Sequence, residues 1–257
     1  TKGINVWCAA GKGTFGTDEL VRQIERTRLT ELVSHRRVIV PQLGAPGVAA
    51  HEVRKRSGFK VIFGPVRADD IPAFLAEGSK ATPSMRRVRF PLADRLAVAP
   101  VELIMSAKII VAVASVLLLL GGFGPDGYSW QRIASVGFLS ATIFSATCIL
   151  SVFLIPAFLP WLPGRALSVK GIWVGIGLLA LLAGVTWRFE PFWAGQLDVI
   201  AWCLMIPATT SFIAFGFTGA TTYTSLSGVR REMAFAMPLQ VISVGLGTVL
   251  WCVGRFI

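Results

Sequence analysis

The chain has 257 residues, 54% of them hydrophobic and only 15% charged, which is too apolar for an ordinary soluble domain and implies a membrane part. Its formal net charge is +11, and 18 Lys or Arg against 10 Asp or Glu up to Lys108 place most of that surplus in the polar first portion. Lys80, Arg86, Arg87, Arg89, Arg95 and Lys108 crowd the approach to the first long apolar run, a positive-inside signature. No aromatic-and-basic module accompanies them, so a lipid bilayer and not nucleic acid is the expected partner of this charge.

From Ile4 to about Phe90, short apolar runs alternate with amphipathic ones, the rhythm of a βαβ sheet. Ile4 to Trp7, Val38 to Val40, Val61 to Phe63 and Val88 to Phe90 are the predicted strands. Thr17 to Val33 carries Leu20, Val21, Ile24, Leu29 and Leu32 at near-helical spacing, with Thr17 as N-cap before Asp18 and Glu19. Gly47 to Arg56 and Asp69 to Glu77 are shorter predicted helices, closed by Gly58 and Gly78. The expected first domain, residues 1–90, is therefore α/β. The chain opens at Thr1, without an initiator Met and almost directly on a strand, so it reads as a fragment whose upstream strands are missing.

Gly78 to Pro91 reads as a linker, and residues 91–102 as a basic approach to the bilayer. Five apolar stretches follow as an all-α membrane domain, residues 103–257: Leu103 to Phe123, Ile133 to Phe158, Gly171 to Trp187, Val199 to Thr218, and Met233 to Val253. Each approaches the roughly 20 residues that cross a hydrocarbon core. Lys108 is the one charge inside them, near enough to the start to snorkel. Positive-inside bias puts the first domain and the loops bearing Arg165, Lys170, Arg230 and Arg231 in the cytoplasm. Arg132, Arg188, Arg255 and the C-terminus then lie outside an inner membrane, and Trp130, Trp161, Trp187 and Trp193 fall near its interfaces. Pro207 and Pro238 are expected to kink helices, and Gly245 and Gly247 to allow close helix contact.

The segment with chemical content follows the first predicted strand: Asn5-Val6-Trp7-Cys8-Ala9-Ala10-Gly11-Lys12-Gly13-Thr14-Phe15-Gly16. Its second half satisfies G-x-G-x-x-G, a dinucleotide-binding pattern, but the second strand ends in Pro41 and Gln42 where a ribose-binding carboxylate belongs. No Gly-Lys-Ser/Thr completes a P-loop. Cys8, Cys148, Cys203 and Cys252 have no paired spacing for disulfides, zinc or iron-sulfur clusters, and a reducing cytosol fits them best. Cys148, Cys203 and Cys252 fall in the apolar runs, where a thiol packs like alanine. Taken singly, Cys8 is a small buried hydrophobe, Trp7 a core aromatic, Asn5 a turn former and Lys12 a solvated charge. His35 and His51 read as surface residues, and neither stands in an Asp-x-His-x-x-Gly context.

Taken together, Asn5, Val6, Trp7, Cys8, Ala9, Ala10, Gly11 and Lys12 resemble at every position the N-[V/I]-W-C-A-A-G-K cap segment of the mercury-methylating corrinoid proteins. That family is related to the large subunit of the corrinoid iron-sulfur protein of the acetyl-CoA pathway. The resemblance extends along the whole chain: the end of a corrinoid domain, then five transmembrane helices, with Thr218-Gly219-Ala220-Thr221-Thr222-Tyr223 after the fourth. It implies a Rossmann-like corrinoid-binding domain, a cobalamin-type cofactor covered on its lower face by residues 5–12, and Cys8 as the lower ligand of cobalt. It further implies methyl transfer to Hg(II), a donor of the methyl-tetrahydrofolate type acting through a methyltransferase, and a ferredoxin-like electron donor with two [4Fe-4S] clusters. Lys12 and the amides of the following helix N-terminus would help keep Cys8 ionised. Two rival expectations stand beside it: a methyl carrier for acetyl-CoA synthesis, and a membrane transporter or receptor with a nucleotide-binding Rossmann domain. The five apolar runs argue against the first, and the scarcity of charges within them against the second.

Overall fold

The computed structural model describes residues 6–9, 15–188, 195–220 and 226–257, with the backbone alone at 8, 9, 187, 188, 219, 220, 226 and 227. Its contacts divide the chain into two units, Thr1–Arg89 and Phe90–Ile257. The molecule is mostly helical, with small sheets only.

In the first unit, α1 (Val6–Ala9) is followed by α2 (Thr17–Arg26), α3 (Leu29–Leu32), β1 (Arg37–Val40), α4 (Ala50–Ser57), β2 (Lys60–Phe63) and α5 (Ile71–Ala76). β1 and β2 pair in parallel, Val38 with Val61 and Val40 with Phe63, with α4 as the crossover. Val21, Ile24, Val40, Val53, Phe59 and Val61 form the core, so each element contributes its apolar face.

Two of the four expected strands are not strands. Val6 and Trp7 lie in the helical turn α1, while Ile4 and Asn5 are outside the described residues. Val88 to Phe90 runs without a strand partner: Arg87, Val88 and Arg89 are exposed, and Pro91 follows. The helix expected over Thr17 to Val33 breaks at Thr27. The Thr27 hydroxyl donates to the Gln23 carbonyl (2.7 Å), and Arg28 turns left-handed (φ 47°) before α3 begins. Gly16, not Thr17, takes the N-cap position of α2. Gly58 closes α4 in the left-handed region (φ 76°), and Gly78 (φ 67°) follows α5, as their sequence positions suggest. The supposed linker is tied back where the Val66 amide donates to the Met85 carbonyl (2.9 Å).

The second unit holds α6 (Leu92–Leu96), α7 (Ala99–Leu120), a two-residue hairpin of β3 (Phe123–Gly124) and β4 (Gly127–Tyr128), and α8 (Trp130–Arg132). A π-turn (Ile133–Gly137) leads into α9 (Phe138–Phe158), followed by α10 (Leu167–Arg188), α11 (Gln196–Ala214) and α12 (Leu226–Val253). Among the described residues, five helical segments are long and apolar enough to cross a membrane: Leu92–Leu120, Trp130–Phe158, Leu167–Thr186, Gln196–Thr218 and Gly228–Val253. This is a membrane protein by that architecture. α11 is the most enclosed, with half of its most apolar window buried, whereas α7 and α12 turn most of their apolar surface outward.

Polar side chains fasten the ends of these helices. Arg95 is buried and donates to the Pro156 and Ala157 carbonyls (3.1 and 2.6 Å) at the end of α9, with its guanidinium 5.6 Å from the Trp161 ring centre. Lys170, expected in a loop, lies within α10 and donates from Nζ to the Leu159 and Leu162 carbonyls (2.6 and 2.9 Å). The Glu232 carboxylate accepts the Ser168 amide (2.6 Å) in the first turn of α10. Arg255, expected to stand singly, forms a buried ion pair with Asp198 and lies over the Trp251 ring. Gly247 does allow close approach, since a Cβ there would lie 2.9 Å from the Ala201 carbonyl oxygen, whereas Gly245 faces open space.

Candidate functional site

Residues 5–12 are only partly visible in this fold. The structure places Val6, Trp7, Cys8 and Ala9 on α1; Asn5, Ala10, Gly11 and Lys12 lie outside the described residues, as do the Cys8 and Ala9 side chains. Val6 packs against the core of the first unit. Trp7 lies at the carboxyl end of the parallel pair, immediately beyond β2. There the Gly64 amide donates to the Val40 carbonyl (2.8 Å), adding one rung to the ladder, and the Gln42 amide reaches the Pro65 carbonyl (3.4 Å). A Cβ added to Gly64 would lie 3.0 Å from Ile39 Cγ2 and 3.6 Å from Trp7 Cζ2. Glycine at 64 thus leaves room for Ile39, with the indole within ordinary contact distance.

The segment beyond residue 14 returns to the same edge. Phe15 is buried against Gly44 in the loop after β1, where a Cβ at Gly44 would come within 3.0 Å of the Phe15 ring. Thr17 locks the next step: its amide donates to the Gly47 carbonyl (3.1 Å), its hydroxyl to the same oxygen (3.3 Å), and the Ala49 amide donates to its Oγ1 (2.8 Å). Trp7, Phe15 and Thr17 therefore all lie near the carboxyl ends of β1 and β2. In parallel α/β sheets that edge is where ligands bind.

Among the described residues, no three His, Cys, Asp or Glu gather as ligands. His51 is exposed beside Glu52 on α4 (Nε2 to Oε1, 3.9 Å), and the exposed His35 accepts the Arg37 amide (3.4 Å). Cys8 follows Trp7 directly on α1, and a thiolate is a strong soft donor. The Arg56–Asp18 pair (2.6 Å) ties α4 to α2 behind this edge, and the Asp18 carboxylate pushes the Arg56 pKa further up.

Sequence reasoning did not single out Gly64, Gly44 or Thr17 as supports of this segment. A glycine directly after β2 and another in the loop after β1 were the available signals, since glycine in such places often marks a close approach. Of the other cysteines, Cys148 is buried, Cys252 half-buried and Cys203 exposed on α11. No protein-family profile, curated protein sequence or solved structure matches this chain.

Proposed function

We propose that this chain belongs to a membrane-anchored corrinoid protein that methylates Hg(II), with the Cys8 thiolate as the lower axial ligand of cobalt. The observation that carries the reading is the unbroken run Asn5 to Lys12, its cysteine included, with Trp7 of that run packed near Gly64 at the end of β2. A bound corrinoid would supply a cobalt ion that accepts a methyl group and surrenders it. Cys8 would supply axial electron density, which suits an acceptor that is itself electron-poor and thiophilic, such as Hg(II). Trp7 and Val6 would hold the helical turn on the sheet, so that the thiolate is presented from a fixed backbone. Lys12 and the amides opening α2 would keep the sulfur ionised.

On this reading β1, α4 and β2 are a βαβ unit of a Rossmann-like domain. The five spans anchor it to the inner membrane. Arg95, Arg165, Lys170, Arg230 and Arg231 gather at the cytoplasmic ends of the helices, and the C-terminus lies outside. A methyl-tetrahydrofolate-type donor, working through a methyltransferase, supplies the methyl group. A ferredoxin-like protein with two [4Fe-4S] clusters supplies electrons, because four scattered cysteines make no cluster site here.

The test is Cys8→Ala in the complete protein, expressed in a host that makes corrinoids. Methylmercury formation is expected to disappear while the variant still inserts in the membrane. Undiminished methylation by that variant rejects the assignment.

A further inference from the structure

We propose, independently of the corrinoid reading, that three exposed arginines at one end of the membrane unit, Arg165, Arg230 and Arg231, bind the headgroup of an anionic phospholipid. Arg165 lies in the turn before α10, and Arg230 and Arg231 lie near the start of α12. The two helices are joined at this end, because the Glu232 carboxylate accepts the Ser168 amide (2.6 Å). Arg165 is three residues before Ser168, a stretch that spans at most about 11 Å, and Arg230 and Arg231 directly precede Glu232. All three guanidinium groups therefore stand on one rim of the bundle.

Other cations at this end are used inside the protein. Arg95 and Lys170 are buried and donate to the carbonyls that close α9. Arg165, Arg230 and Arg231 are exposed, and among the described residues none of their side chains has a hydrogen bond or ion pair. Neither α10 nor α12 carries an acidic residue in its first turn, and helix N-termini disfavour cations. Glu232, the acid beside the arginines, is already engaged by the Ser168 amide. Positive charge thus collects on this rim, and an anion from outside the chain has to offset it.

Depth decides which anion that is. The apolar spans of α10 and α12 begin at Leu167 and Gly228, so the arginines lie at the first residues of each. Trp161, 70% exposed and in the same turn as Arg165, has the character of an interfacial residue. Below Arg231, the side chains of Phe235, Leu239 and Ile242 follow at helical spacing on one face of α12, and all three are exposed. In a bilayer such a face is covered by hydrocarbon chains. A ligand with an anion above and hydrocarbon below matches both halves of this surface. Arginine donates paired N–H groups to phosphate, and a zwitterionic lipid would bring its own cation against three guanidinium groups, so a net anionic phospholipid is favoured.

The test titrates the full-length protein in detergent with phosphatidylglycerol or with phosphatidylcholine of the same acyl chains, and native mass spectrometry reads the affinity for the first lipid bound. Phosphatidylglycerol is expected to bind more than about tenfold more tightly. Arg165→Gln, Arg230→Gln and Arg231→Gln together should abolish that preference and leave phosphatidylcholine binding unchanged, and each alone should reduce it by at most about fivefold. Arg54→Gln, Lys55→Gln and Lys60→Gln, which remove the same charge from exposed positions of the first unit, should leave the preference intact. Inorganic phosphate in excess should not displace phosphatidylglycerol, because the acyl chains hold the lipid on α12. The single variants and the wild-type comparison decide the matter if the triple variant does not fold. Equal affinity for the two lipids, a preference that survives in a folded triple variant, one lost equally in the first-unit variant, or displacement by inorganic phosphate overturns the proposal.

Discussion

A single methyl group at residue 64 would crowd Ile39. Gly64 lies where Ile39 and the Trp7 ring meet, and Gly64→Val would drive its side chain into both. The expected cost is about 1–3 kcal/mol of stability in the first unit, the usual penalty of overpacking, read by urea denaturation of the complete protein. If the indole supports α1 and the proposed corrinoid site, Gly64→Val also lowers retained corrinoid per protein, with Cys8 untouched. Thr17 offers a gentler change. Thr17→Val keeps the shape and deletes the hydroxyl that bonds Gly47 and Ala49, so a loss of about 1 kcal/mol is expected in the same titration, and an unchanged midpoint would contradict it. The role proposed for Cys8 rests on its eight-residue context alone. The contribution of Gly64 is not legible in the sequence, because nothing local shows that an indole from 57 positions upstream arrives there.

Helix existence was easier to read than helix limits. The apolar runs locate all five membrane helices, since roughly 20 uncharged residues have few other fates. Their ends were misjudged where charge is satisfied by the fold: Lys170 and Glu232 lie inside the helical spans because one caps carbonyls and the other an amide. In the first unit, the stripe of Leu20, Val21, Ile24, Leu29 and Leu32 concealed the break at Thr27, and Leu32 ends up 71% exposed. Val6-Trp7 could be strand or helix by pattern, a recurring ambiguity of short apolar runs. Val88-Arg89-Phe90 alternates like a strand, yet a strand also needs a partner, which is a property of the fold. Close packing between helices is testable at Gly137, where a Cβ would overlap the Leu118 carbonyl. Gly137→Leu should push α7 from α9 and lower the thermal midpoint in detergent, whereas Gly177→Leu, facing open space, should leave it within a degree or two.

At the scale of the molecule, the membrane unit is stabilised by charges that its sequence seemed to leave isolated. Asp198 and Arg255 are 57 residues apart and both buried, so Asp198→Ala strands a guanidinium without its partner. A loss of about 3 kcal/mol is expected in detergent unfolding, and Asp198→Leu with Arg255→Met should recover most of it, because breaking a buried pair costs more than replacing it. No recovery in the double variant would show that the pair holds the helix ends by geometry and not by compensating charge.

The corrinoid reading rests on one sulfur ligand, and the most direct measurement is the absorption spectrum of the purified full-length protein from corrinoid-supplied cells beside that of Cys8→Ala. A cobalt spectrum with a sulfur-to-metal band in the first and without that band in the second is the predicted result. A full-length protein that carries no corrinoid, or one whose cobalt spectrum is indifferent to Cys8, would contradict it.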